Sequence, residues 1–495
     1  MKYVVALDQG TTSSRAVIFD ETGRMVIARA VEFPQIFPKP GWVEHDPEDI
    51  YTSQTHALRQ AVKDAGIRPE DIATAGIANQ RETTLLWERA TGKPVCNAIV
   101  WQCRRSAPLV ERLKKEGMEG EIRKRTGLLP DAYFSGTKLQ WLFENVPGLL
   151  ERARQGELCF GTVDSYLLFR YTHGAAHKTD ATNAARTMLF NIREQEWDDT
   201  LLSCMNIPRQ VLPEVCDTAC EFGVMDPEIL GCPIPILAMA GDQHAALYGQ
   251  GCWSAGSVKN TYGTGCFLLM NTGSYPVTSQ NGLLTTLAWR LGGKPSYALE
   301  GSGFTAGAVI KWLRDEMGLI STAAESEQIA KSILDNEGVY MVPAFTGLGA
   351  PYWDMYGRGV IVGLTRGTGR RHIVRAALES IAYQTLDVMQ SMTRDSGIRP
   401  AALRVDGGAS ANGFLMQFQA DMLGCQVVRP AVVESTAMGA AMLAGRQADM
   451  YSDYALKSML GGGATYTPQL TSARRQALLE GWKKAVERAR GWAEE

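Results

Sequence analysis

A chain of 495 residues, 45% apolar and 21% charged, is longer than one hydrophobic core supports, so two or three globular domains are expected. Fifty Lys and Arg against 53 Asp and Glu leave a formal charge of −3, which excludes a basic field for nucleic acid and a polybasic membrane patch. No apolar run approaches the roughly 18 residues that span a bilayer, and Asp8 interrupts the first run where a signal-peptide core carries no acid, so no membrane insertion and a cytoplasmic location are expected.

The opening reads as a meander of strands over residues 3–7, 15–19 and 25–33, with a turn at 21–23. The helix "DPEDIYTSQTHALRQAVKDAG" follows, with Asp46 as N-cap and Pro47 at the first helical position. Strand "ATAGIAN" then runs into a polar knot, "NQRETT", and amphipathic helices and short strands continue to about residue 240. There the pattern restarts. "GSVKNTYGTGCFLLMNTG" is again strand, tight small-residue turn and strand, and "PSYALEG" leads into the helix "AGAVIKWLRDEMG". "LRVDGGASAN" is strand and Gly-Gly turn, followed by the helix "GFLMQFQADMLG" and the close-packing helix "ESTAMGAAMLAG". The repeat suggests a duplicated α/β domain with a cleft between its halves, and no low-complexity linker separates them. Ten scattered cysteines, without a C-x-x-C pair, read as reduced and mostly buried thiols; Cys216 and Cys220 lack a partner pair for zinc. His173 and His177 are expected to face solvent.

Three loops expose backbone N–H groups without bulky side chains: "DQGTTSSR" (8–15), "YGTG" (262–265) and "DGGAS" (406–410). Glycine allows close backbone approach, and successive N–H groups make a concavity for anions. None is a P-loop or a dinucleotide fingerprint. One such loop alone would be read as a connection between strands; three together favour a nucleotide cleft.

The segments "DQGTTSSR", "NQRETT", "WQCRR", "YFSGTK", "GTVDSYL", "GDQHAAL", "NTYGTGCF", "VPAFTGLGAPYWD", "GLTRG" and "RVDGG" occur in this order. With "YFSGTKLQWLFEN" and "GVIVGLTRGTGRRHIVRAALE", the set resembles the FGGY carbohydrate kinase family of the actin-like ATPase superfamily, and within it the members that phosphorylate glycerol. The resemblance runs from residue 3 to about 445. It implies two actin-like, ribonuclease H-like domains, 1–250 for glycerol and phosphate and 251–495 for nucleotide, around a cleft. It further implies ATP-dependent conversion of glycerol to sn-glycerol 3-phosphate in glycerol catabolism, with Mg²⁺, by a homo-oligomer, dimer or tetramer. Another FGGY kinase acting on a different polyol or ketose is the near alternative. A non-enzymatic actin-like ATPase module is the distant one.

The resemblance assigns Asp242 the role of base, against the commoner reading of an Asp after Gly as a helix N-cap. Asp8 ends a buried strand beside the hydroxyl-rich loop. A buried carboxylate there would meet Mg²⁺, with Asp242, or bind its own turn N–H groups. Arg81 and Glu82 would give a triol its donors and acceptors, or form a solvated loop pair. By resemblance, Trp101 and Phe267 line the carbon chain, Tyr133 adds a hydroxyl and Gln243 completes the shell, although aromatics at strand ends are more often core. For the nucleotide it points to Thr11, Thr12, Ser13, Arg15, Thr264, Gly307, Gly408 and Asn412, while Lys311 departs from the family's usual Gln. Some bacterial members bind an inhibitory sugar bisphosphate through a Gly-Thr-Arg loop; the aligned stretch 222–236 has no Arg or Lys and carries Asp226, Glu228 and three prolines.

Overall fold

The computed structural model describes residues 1–303, 305–432 and 434–493. β1 (Tyr3–Gln9), β2 (Ser13–Asp20) and β3 (Met25–Glu32) form the expected antiparallel meander, with Asp8 opposite Arg15. α1 (Pro47–Ala65) begins where Asp46 accepts the Glu48 N–H, and it ends at Gly66 in the left-handed region. β4 (Ile72–Asn79), β5 (Ala219–Met225) and β6 (Ile234–Gly241) complete a six-stranded sheet of order β5-β6-β4-β1-β2-β3. α2 (Asp242–Gly249) leaves directly from β6.

The second sheet repeats this plan. β7 (Val258–Tyr262) pairs antiparallel with β8 (Cys266–Gly273), and β9 (Leu284–Leu291) and β10 (Lys294–Gly303) extend that side. α3 (Gly307–Asp315) and α4 (Arg370–Ser396) follow, then β11 (Ala402–Asp406), which lies parallel to β7 on its other side. α5 (Gly413–Leu423), β12 (Gln426–Arg429), α6 (Ser435–Gln447) and β13 (Ala464–Tyr466) complete the order β9-β10-β8-β7-β11-β12-β13. In both sheets the first strand has an antiparallel neighbour on one side and a parallel neighbour on the other. That shared topology is the duplication the sequence suggests.

Strand alternation divides the first sheet between two cores. Val5, Leu7, Ile77 and Met239 face α1 and the helix Val163–Tyr171. Val4, Ala6, Ala78, Ala238 and Ala240 face α6, whose Ala437, Ala440, Ala441 and Ala444 allow close approach. The chain's midpoint thus separates the sheets, since α2 ends at Gly249 and β7 starts at Val258, but α6 returns from the second half to cover the first sheet.

The ten cysteines are all free, four buried and six half-buried. His173 is exposed, as expected. His177 is not: its ring packs edge-on against Trp87, and Nε2 donates to the Phe160 carbonyl at 2.8 Å. The apolar pocket of the first core outweighs the small-residue turn that suggested exposure. Among the described residues, no helix is long and apolar enough to cross a membrane.

Candidate active site

The parallel strands β1, β4 and β6 all end at one edge, where open α/β sheets hold ligands. Their register aligns Asp8 with Ala78, and Gly241 with Asn79. Asp8, the knot Gln80–Thr83 and the Asp242–Gln243 pair therefore meet beyond the same sheet edge. On the second sheet, directly paired residues share a face. Lys259, Leu269 and Glu300 form one such row, and Thr261, Phe267 and Ser302 the next. Leu269 packs into the core built on the first sheet, so the whole face, Phe267 included, is turned toward the first half.

Arg81 is the hub. Its Nη1 and Nη2 donate to the two Glu300 carboxylate oxygens at 2.7 and 2.9 Å. Nε lies 3.3 Å from Asp242 Oδ1 and 3.7 Å from Glu82 Oε1, and Nη2 is 3.5 Å from the Tyr133 hydroxyl. Arg186 closes a ring, with Nε donating to Glu82 Oε1 at 2.6 Å and both Nη atoms 3.2 Å from Glu300. Arg81, Glu82, Arg186 and Glu300 are each no more than 3% exposed. An isolated charge at such depth is very costly, whereas alternating signs satisfy one another. Burial alone would raise the Glu300 carboxyl, but Arg186 and Arg81 outweigh it and hold it well below the usual range. Glu82 lies on the other side of that balance: burial dominates and raises it. Gly241 makes room for the hub, because a Cβ there would stand 2.8 Å from the Arg81 Cγ and Cδ.

Glu82 adopts φ 61°, the left-handed region that non-glycine residues avoid. Its carbonyl is pinned by the Ser135 hydroxyl at 3.1 Å and by the Lys138 ammonium at 3.5 Å. Lys138 also donates to the Tyr133 and Phe134 carbonyls. The "YFSGTK" segment therefore both supplies Tyr133 and holds Glu82 in its strained conformation.

Asp242 is not a helix N-cap. Gly241 holds that position, and Asp242 accepts the Gln243 N–H at 2.6 Å while its side chain stays 31% exposed to the cleft. Lys259, buried across the cleft, donates to Gln243 Oε1 and to the Thr261 hydroxyl. A lysine only donates, so the Gln243 amide turns its oxygen to Lys259 and its NH₂ elsewhere. Burial lowers Lys259 to about 8, opposed by Asp406 and Asp242. Trp101 packs edge-on to Tyr133 with ring centroids 5.7 Å apart, and its Nε1 donates to Thr11 Oγ1 at 3.0 Å.

Asp8 is 8% exposed, and no hydrogen bond reaches its carboxylate among the described residues. Burial pushes it up to about 7, against Arg15 and reinforced by Asp242 and Glu434. The loop beside it is braced from behind: Gln80 Nε2 donates to the Gly10 carbonyl and Gln35 Nε2 to the Thr11 carbonyl. Thr12 and Arg15 are exposed, and Thr11 and Ser13 are half-buried. Arg15 Nη1 meets Glu434 Oε2 at 3.0 Å across the halves. On the second sheet, Thr264 is exposed at the tip of the turn that the Gly307 N–H ties down through the Gly263 carbonyl at 2.9 Å. Gly408 has open space before it, and the position that requires glycine is Gly407, at φ 82° with a Cβ only 2.3 Å from the Tyr262 carbonyl. Asn412 caps α5 by accepting the Leu415 N–H, and Lys311 is exposed.

The residues named from sequence thus fall into two groups. Arg81, Glu82, Tyr133, Trp101, Asp242 and Gln243 are drawn together, while the nucleotide candidates line the loops of both sheets. Arg186, Glu300 and Lys259 are not among the residues that the sequence singles out. A charged residue within an apolar run, the signal that singled out Asp8, was also present in "YALEG" and "SVKNTY".

Residues 3–249 match the FGGY family of carbohydrate kinases, N-terminal domain, and residues 258–448 match its C-terminal domain. Over 495 residues and the full length of both chains, the sequence is 57% identical to a glycerol kinase of Caldanaerobacter subterraneus subsp. tengcongensis. It is 56% identical to glycerol kinase 2 of Thermotoga maritima over 493 residues, 99% of each chain. The fold superposes on the crystal structure of Plasmodium falciparum glycerol kinase with ADP at TM-score 0.94 and 36% identity, covering 99% and 98% of the two chains. A gluconate kinase from Lactobacillus acidophilus, at TM-score 0.88 and 22% identity over 98% and 97%, shares the fold. The chain belongs to the FGGY family of carbohydrate kinases, built on the two-domain α/β fold of the actin-like ATPases.

Proposed function

We propose that this kinase transfers the γ-phosphoryl group of ATP to a terminal hydroxyl of glycerol, giving sn-glycerol 3-phosphate and ADP in glycerol catabolism. The observation that carries this reading is the convergence on Arg81 of Glu82, Tyr133 and Asp242, with Trp101 packed beside them. Donors, acceptors and an apolar wall at this scale suit a small polyol.

Arg81 donates to a substrate hydroxyl and Glu82 accepts from one. The freed NH₂ of Gln243 donates to a third polar atom, and Trp101 with Phe267 covers the carbons. The terminal hydroxyl oxygen bonds to the γ-phosphorus as the bond to the β,γ-bridging oxygen breaks. Asp242, half-exposed and, among the described residues, charge-paired only with Arg81, takes the hydroxyl proton. Thr11, Thr12, Ser13, Thr264 and Gly408 present hydroxyls and open backbone to the nucleotide, Gly307 and Asn412 fix the loops that do so, and Arg15 exchanges Glu434 for phosphate.

Mg²⁺ fits the acids beside these loops. Asp8 is a buried carboxylate without a hydrogen-bond donor among the described residues, and a second carboxylate, Asp242, is close enough to raise it. Asp8 and Asp242 would hold the ion through its waters, and when bound it supplies neutralisation of the phosphate charge.

A panel of glycerol, dihydroxyacetone, erythritol, ribitol and xylulose with purified protein and MgATP tests the substrate. Glycerol should give the highest kcat/KM. A higher value for ribitol or xylulose would move the chain to another FGGY specificity.

A further inference from the structure

Arg81 has five N–H groups, and which of them face the cleft depends on how its guanidinium is turned. Glu300 takes one from each Nη in a two-point ion pair at 2.7 and 2.9 Å. This consumes the far edge of the fork. The side edge, made of Nε and an Nη N–H, is left toward Asp242 at 3.3 Å and the Tyr133 hydroxyl at 3.5 Å.

Glu300 is itself fixed from three directions. β10 places it on the sheet face turned to the first half, in one row with Leu269 and Lys259. Arg186 approaches both of its oxygens at 3.2 Å. The strand beneath it is anchored, because Tyr297, three residues earlier, donates to the Ile192 carbonyl at 2.8 Å. Arg186 in turn holds Glu82 Oε1 at 2.6 Å, so one carboxylate of the second sheet sets the direction of both charged residues in the "NQRETT" knot.

We propose that Glu300 is a positioning residue for polyol recognition: it dictates which edge of Arg81 meets the substrate and, through Arg186, aims Glu82. This rests on the proposed polyol kinase activity. Glu300 does not itself touch the substrate; it acts through Arg81 and Arg186. Its loss therefore falls on polyol affinity and spares the nucleotide, whose loops lie elsewhere. In Glu300→Gln the amide NH₂ faces an Arg81 N–H, one of the two bonds is lost, and the guanidinium is free to turn its paired edge to Asp242.

The experiment is a double-mutant cycle read in KM and kcat. Glu300→Gln should raise KM for glycerol roughly 10- to 100-fold and leave KM for ATP within about twofold. The pair Arg81→Gln/Glu300→Gln should fall well short of the product of the two single effects, because the larger part of the Glu300 effect runs through that guanidinium and only the remainder through Arg186. Glu300→Asp keeps the buried charge, so it serves where Glu300→Gln does not fold. Its side chain is one methylene shorter and sets the carboxylate back from both Nη atoms, and a several-fold rise in glycerol KM is expected. A folded Glu300→Gln or Glu300→Asp protein with glycerol KM within twofold of wild type overturns the proposal. So does a parallel rise in both Michaelis constants, or effects that multiply in the double variant. The variants are assayed with whichever polyol or sugar the wild type phosphorylates fastest. Absence of glycerol turnover in the wild type would then count against the substrate, while Glu300 is still tested.

Discussion

Replacing Asp242 by Asn removes the proton acceptor together with one of the two carboxylates proposed for Mg²⁺, so the variant is assayed at saturating Mg²⁺, where proton transfer is the step that suffers. The ring of Arg81, Glu82, Arg186 and Glu300 is neutral without Asp242, so the variant leaves no buried charge unpaired. The amide oxygen can still accept the Gln243 N–H that Asp242 holds at 2.6 Å. The lost contact is one 3.3 Å approach to Arg81 by a side chain 31% exposed, so its cost to folding is screened and stays within about 1 kcal/mol. Tm should therefore move by no more than about 2–4 °C. Turnover should suffer far more. Without a proton acceptor, kcat falls roughly 10²- to 10⁴-fold, or about 2.7 to 5.4 kcal/mol of barrier. ADP release at saturating glycerol and MgATP measures kcat, and calorimetric titration with glycerol checks that binding survives. A folded, glycerol-binding variant that keeps more than a tenth of wild-type kcat would refute the assignment of Asp242 as base.

Asp8→Ala should raise the Mg²⁺ concentration needed for half-maximal rate and lower turnover without unfolding the chain; an unaltered magnesium titration would count against it. His45 is fully buried, with Nε2 2.7 Å from Gln35 Oε1, and burial lowers it to about 4 from an ordinary 6.5. Its folded state resists protonation, so its stability contribution is present above pH 6.5 and is lost as pH falls toward 4. The loss is about 2 kcal/mol at pH 5, and His45→Gln should blunt the Tm decrease between pH 7.5 and 5. Equal decreases in both proteins would show that another group governs acid lability. The stretch 222–236 folds as β5, a four-residue helix capped by Asp226, and the start of β6, with Glu228 exposed. Fructose 1,6-bisphosphate at millimolar concentration and fixed free Mg²⁺ is expected not to inhibit through it. Saturable inhibition that disappears when these residues are changed would contradict this.

Where local chemistry decides, the sequence was readable. The meander of β1 to β3 follows from apolar alternation broken by small-residue turns, and the start of α1 follows from Asp46 and Pro47. Asp8 and the "NQRETT" knot were visible because strands that end at a sheet edge place their last polar residues there. Glu300 and Lys259 carried the same mark, a charge inside an apolar run, but their meaning depends on register. Only the pairing of β7, β8 and β10 shows that they share one face, and only the packing of Leu269 shows which way it points. Arg186 sits in a short turn with no periodicity of its own, and its role exists only because Glu82 and Glu300 come from opposite halves. The small-residue character of α6 announced close packing, but not that its partner would be the first sheet, more than 350 residues earlier in the chain for β4. His177 shows the converse, a turn-like neighbourhood hiding a half-buried ring packed edge-on against Trp87.

Transfer of a phosphoryl group from ATP to glycerol in this cleft is tested most directly by product analysis. Purified protein is incubated with MgATP, with and without glycerol, and ADP and phosphorylated products are followed together by phosphorus NMR. ATP loss should be slow without glycerol and accelerate at least about 100-fold with it, because the acceptor hydroxyl rather than water is positioned for transfer. One sn-glycerol 3-phosphate should appear for each ADP. ATP consumption indifferent to glycerol, with inorganic phosphate as the product, would contradict it and leave an ATPase in its place.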